Sequence, residues 1–86
     1  MKTFLARVDV TLKPTVNDPQ GNTIRDALHS LGFRDVASVR AGKYMEITLQ
    51  AATKKKAQEQ ATEMCKKLLA NPVIEDFRFE IDEVKG

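Results

Sequence analysis

The sequence predicts an α+β two-layer sandwich: a mostly antiparallel sheet of three to four strands with two helices on one face. Three observations carry this. Apolar and polar residues alternate over residues 3–13, 36–50 and 73–84, the period of a strand with one buried face. Apolar residues recur at i, i+3, i+4 and i+7 in two stretches between them, the stripe of an amphipathic helix. Proline, glycine and asparagine punctuate the boundaries, most densely from Leu12 to Gly21.

The first strand puts Phe4, Ala6, Val8, Val10 and Leu12 on one face and Thr3, Arg7, Asp9, Thr11 and Lys13 on the other, with Leu5 the exception. Asp18-Pro19-Gln20-Gly21 suits two readings. It can be a type I turn, with Asp first, Pro second and Gly fourth. It can equally be a helix start, with Asp18 as N-cap and Pro19 at the first helical position, where no N–H is needed. Ile24, Ala27, Leu28 and Leu31 then form the first helical stripe, and Gly32 stops it with Phe33 just beyond. In residues 36–50, Val39, Ala41, Met45, Ile47 and Leu49 share a parity, with Lys43 its one charged member. Ala41-Gly42 is either a bulge in one long strand or the turn of a hairpin. The parity runs unbroken through Gly42, which favours one long, bent strand. Thr53 is placed to cap a second helix over residues 53–70, with Ala57, Ala61, Met64, Cys65 and Leu68 as its stripe and Leu69 beside it. Asn71-Pro72 ends it, with Asn in the left-handed position. The last strand points Phe77, Phe79 and Ile81 one way and Asp76, Arg78, Glu80 and Asp82 the other. The order β-α-β(β)-α-β is that of a ferredoxin-like sandwich.

The chain has 86 residues, enough for one domain over residues 1–86 with a modest core. Its net charge is +2, from 14 basic and 12 acidic residues, too weak to imply nucleic acid or an anionic membrane. One cysteine excludes an internal disulfide framework. Arg7 and Asp9 interrupt the N-terminal stretch before a signal-peptide core could fit, and no run approaches the roughly 18 apolar residues of a membrane span. A cytoplasmic protein is expected.

Little in the sequence resembles a reaction centre. His29 is the only histidine and has no companion at metal-ligand spacing, so it reads as an exposed helix residue. Cys65 lies on the apolar stripe without an evident base and reads as a small buried residue. Asp18 before Pro19 reads as a cap or turn residue rather than a catalytic carboxylate. Lys54-Lys55-Lys56 lies at the unfavourable end of a helix dipole and Lys66-Lys67 follows later; both read as solvated. Arg40-Ala41-Gly42-Lys43-Tyr44 groups two cations with the only tyrosine, but a base-stacking sheet needs more exposed aromatics than Tyr44 alone. No catalytic, cofactor-binding or metal-binding residue is expected. The candidates for partner contact are Asp18 and Gln20 in the 13–21 loop and Arg40, Lys43 and Tyr44 at the bend.

Several phrases together resemble one family: Val10-Thr11-Leu12-Lys13, Asp18-Pro19-Gln20-Gly21, Ile24 with Ala27-Leu28 and Leu31-Gly32, Val39-Arg40-Ala41-Gly42-Lys43-Tyr44-Met45-Glu46, and the run from Met64 to Phe77. In wording and spacing, from about Val8 to Val84, they are similar to the PurS family, the small subunit of phosphoribosylformylglycinamidine (FGAM) synthase. The resemblance implies a subunit of an ATP-dependent ligase of de novo purine biosynthesis that takes ammonia from glutamine. It implies that a PurL subunit binds nucleotide and ligates, using ATP and Mg, and that a PurQ subunit carries the glutaminase. It implies that the small subunit self-associates as a dimer or tetramer, holds PurL and PurQ together and helps pass ammonia, with no cofactor of its own. Two other functions share this strand–helix order. An ACT-like regulatory domain would place a glycine-containing loop after the first strand to meet an amino acid. An acylphosphatase-like enzyme would place an arginine in that loop, and residues 14–18 contain none.

Overall fold

A computed structural model describes residues 1–85. Its elements are β1 (Lys2–Leu12), α1 (Pro19–Ser30), β2 (Gly42–Ala51), α2 (Lys54–Met64), a π-helical turn (Cys65–Leu69) and β3 (Glu75–Val84). The class is α+β and the arrangement ferredoxin-like, as expected, with three strands in the order β2-β1-β3. Both outer strands run antiparallel to β1.

The register explains the core. Val8 lies between Met45 and Phe79, and Ala6 between Ile47 and Ile81. Phe4, Ala6, Val8 and Val10 are buried along one face of β1, as the alternation requires. α2 lies over that face with Ala57 and Ala61, and the π turn continues it with Cys65; the three are four residues apart and all buried. These are small side chains, so the helix backbone can approach the sheet closely. Thr53 caps α2, its Oγ1 accepting from the Lys56 N–H at 3.2 Å.

The two helices differ in how far they join this core. Gly21 is the only buried residue of α1. Ile24 is 39% exposed, Leu31 74% and Phe33 just beyond the helix 59%. The reason lies in the topology. β1 and β2 are antiparallel neighbours, so the connection 13–41 leaves and returns at the same end of the sheet. It does not have to cross the sheet face. The result is a thin, elongated body of 51 × 31 × 14 Å, with a radius of gyration of 16.6 Å. A compact chain of this length would have a radius of about 12 Å.

Three local expectations are corrected. Residues 36–41 are not strand: β2 begins at Gly42. The long bent strand and the hairpin both fail because the Ala41 N–H is taken by a side chain, that of Asp18. Gly42 is nonetheless required there, since a Cβ would lie 2.5 Å from the Val10 carbonyl oxygen. Leu68 leaves the helical stripe and is 83% exposed, while Leu69 packs against the core. The Ala70 N–H bonds the Cys65 carbonyl five residues back at 3.0 Å, and this π turn passes the inward position from 68 to 69. Asn71 is not left-handed, since no non-glycine residue among those described has positive φ. Its Oδ1 instead accepts from the Val73 N–H at 3.1 Å, a side-chain turn. Gly32 behaves as expected, with φ +100°. The Gly32 N–H reaches the His29 carbonyl and the Phe33 N–H the Leu28 carbonyl, the paired bonds of a Schellman stop.

Candidate functional site

Two of the residues singled out by the sequence, Asp18 and Arg40, lie where α1 leaves and rejoins the sheet. Asp18 is the N-cap, with Pro19 at the first helical position, so the helix-start reading holds. The Asp18 Oδ1 accepts from the Gly21 N–H at 2.8 Å and its Oδ2 from the Ala41 N–H at 2.7 Å. Asp18 is 3% exposed, the one buried charged residue among those described. The bonds from Gly21 and Ala41 hold its carboxyl below the ordinary aspartate range; burial opposes them and the Arg40 charge assists.

Arg40 makes the reverse connection. Its guanidinium donates to the Lys13 carbonyl at 2.8 Å and the Val16 carbonyl at 2.9 Å. The outgoing segment 13–18 and the returning segment 39–41 are thus tied twice, once by a side chain from each. Gly21 closes the junction. A Cβ there would collide with the Val39 carbonyl oxygen and press on the Asp18 carboxylate. Farther out, the His29 ring Nε2–H donates to the Val36 carbonyl at 2.7 Å, so this histidine is half-buried rather than exposed. α1 and its return segment form an arm bound to itself at both ends.

Gln20, Lys43 and Tyr44 are exposed. Lys43 pairs with Glu75 at 3.7 Å across β1. Tyr44 lies on the sheet face opposite α2, its hydroxyl donating to Glu46 at 2.9 Å. Partial burial, followed by the bond to Glu46, raises the Tyr44 pKa. The same face carries Arg7 between Glu80 and Asp82, and Arg78 beside Asp9 at 3.4 Å. Both acidic partners, Asp82 first, raise the Arg7 pKa. These are exposed pairs, which solvent screens and which add little to stability.

Cys65 is fully buried, and burial pushes its thiol pKa up, away from a reactive thiolate. Among the described residues no three His, Cys, Asp or Glu side chains are placed to hold a metal ion. The sequence reading missed the role of Arg40 and the His29–Val36 bond. Gly21 was the available signal for the junction, since a glycine in a first helical turn implies a close approach.

Comparison with known proteins agrees along nearly the whole chain. The family model PurS, described as phosphoribosylformylglycinamidine (FGAM) synthase, matches residues 5–83. The phosphoribosylformylglycinamidine synthase subunit PurS of Bacillus subtilis is 47% identical over 81 residues, spanning 94% of this chain and 95% of the relative. A solved structure of B. subtilis PurS superposes with a TM-score of 0.83 at 46% identity, covering 93% of this chain and 99% of that one. A chain in the structure of PurLQS from Thermotoga maritima superposes with a TM-score of 0.84 at 34% identity, covering 98% and 100%. The chain belongs to the PurS family, the small subunit of FGAM synthase, an enzyme of purine biosynthesis.

Proposed function

We propose that this chain is a non-catalytic assembly subunit that holds a PurL-type ligase and a PurQ-type glutaminase together in the cytoplasm, and that it self-associates through α1. ATP and Mg belong to the ligase partner in this reading. The small subunit helps pass ammonia between the other two, and Gln20, Lys43 and Tyr44 are its exposed candidates for contact. The observation that carries the reading is the near-complete match to a chain of the PurLQS structure from T. maritima.

The arm supports self-association. Ile24, Leu28 and Leu31 form one stripe, and Ile24 and Leu31 stand exposed with Phe33 beside them. Burying such side chains in an interface contributes on the order of 1–2 kcal/mol each. A complementary surface exists on the helix side of the sheet, where Met45, Ile47, Met64, Phe77 and Phe79 are only partly covered. The arm of one copy covering the sheet of another satisfies both surfaces at once.

The test is reconstitution. Purified ligase and glutaminase subunits are assayed for glutamine-dependent amidine formation with and without this chain. Addition is expected to raise the rate, and the chain alone to be inactive. An unchanged rate overturns the reading.

A further inference from the structure

We propose that the crossed pair Asp18 and Arg40 is a positioning device that fixes the direction in which the α1 arm leaves the sheet, and thereby presents it to a second copy in one orientation. This rests on the self-association reading above.

The geometry supports an orienting role beyond simple capping. A cap needs only the Gly21 N–H donating to Asp18 Oδ1. The second oxygen reaches out of the helix to Ala41, on the strand-ward side of the return segment. Arg40, next to Ala41, reaches the opposite way to Lys13 and Val16. Lys13 in turn is fixed to the body, its N–H donating to the Ile74 carbonyl at 2.8 Å. The arm is therefore referenced to the sheet through two side chains of opposite charge. Gly21, with no room for a Cβ, leaves the two segments no slack. Gly21 is the only fully buried residue of α1, so packing against its own sheet does little to set its angle. A loosely hinged arm would have to be ordered at the moment of association, at a cost in affinity. A fixed arm has met that cost on folding.

The test combines affinity with arm geometry. Wild type and Arg40→Gln are compared by sedimentation over a dilution series. In parallel, spin labels at Ser30→Cys and Thr48→Cys, on a Cys65→Ala background, report the arm-to-sheet distance. Arg40→Gln is expected to keep the circular dichroism of the fold, broaden the distance distribution and raise the dimer Kd on the order of 10- to 100-fold, the loss of charge-assisted bonds. If Arg40→Gln does not fold, Arg40→Lys keeps the charge without the two-carbonyl grip and is read the same way. A folded variant with unchanged Kd and an unchanged distance distribution overturns the inference while leaving self-association intact. A wild-type chain that stays monomeric at every concentration overturns the self-association reading, and this inference with it.

Discussion

Gly21 occupies the first turn of α1, where alanine would ordinarily be better by about 1 kcal/mol. Here the sign reverses. A methyl group would strike the Val39 carbonyl, which is backbone and cannot rotate away, and would crowd the Asp18 carboxylate. Overpacking of this kind costs roughly 1–3 kcal/mol. Gly21→Ala is expected to lower the urea midpoint, and a raised midpoint would show that the junction is open. Asp18 yields a prediction in pH. Its folded pKa lies below the unfolded value, so its contribution is fully present above about pH 4 and is lost as pH falls through the lower, folded value. Asp18→Asn, which cannot titrate, is expected to flatten the acid limb of thermal stability below about pH 4. A limb as steep as that of wild type would assign it to other carboxylates. The capping role of Asp18 was legible in the sequence, because cap chemistry is local. Its second bond, to Ala41, joins residues 23 apart and has no local signature.

At the scale of elements, β1 was readable almost to its ends because each alternate residue meets either the core or water. β2 was misread at its start for a specific reason: side chains, not a neighbouring strand, satisfy the segment around Arg40 and Ala41. Apolar parity carries no record of that. The end of α2 was misread because a stripe of period 3.6 assumes that every bond spans four residues, and the Ala70–Cys65 bond spans five. The π turn makes a sharp statement about two adjacent leucines. Leu68→Ala is expected to change stability by less than about 0.5 kcal/mol, as for an exposed position. Leu69→Ala is expected to cost more, about 1–2 kcal/mol for a partly buried leucine. Urea unfolding of the two variants separates them. The reverse order would mean that the helix continues regularly through residue 68.

At the scale of the molecule, α1 was found correctly as a helix, and its apolar stripe was real. What single-chain patterning could not reveal is which sheet that stripe faces. An amphipathic stripe requires a partner surface but carries no label saying whether the surface belongs to the same copy. The strand order explains only why the stripe need not face its own sheet, since an antiparallel β1–β2 pair lets the intervening helix stand off the end of the sheet. The same limit applies to the candidate contact residues. Asp18 and Arg40 stood out in the sequence and prove to tie the arm's base, whereas Gln20, Lys43 and Tyr44 are left facing outward.

The 14 Å thickness has a consequence of its own. One sheet with α2 laid over it makes a plate, and what lies between the two layers is the chain's own core. With a single sheet–helix interior, already occupied by core side chains, what the chain offers a small neutral molecule is surface. Ammonia passing from a glutaminase to a ligase in the proposed assembly would meet this subunit as a single wall of its conduit. The remaining walls, and the seal between them, would be supplied by whatever closes against the plate.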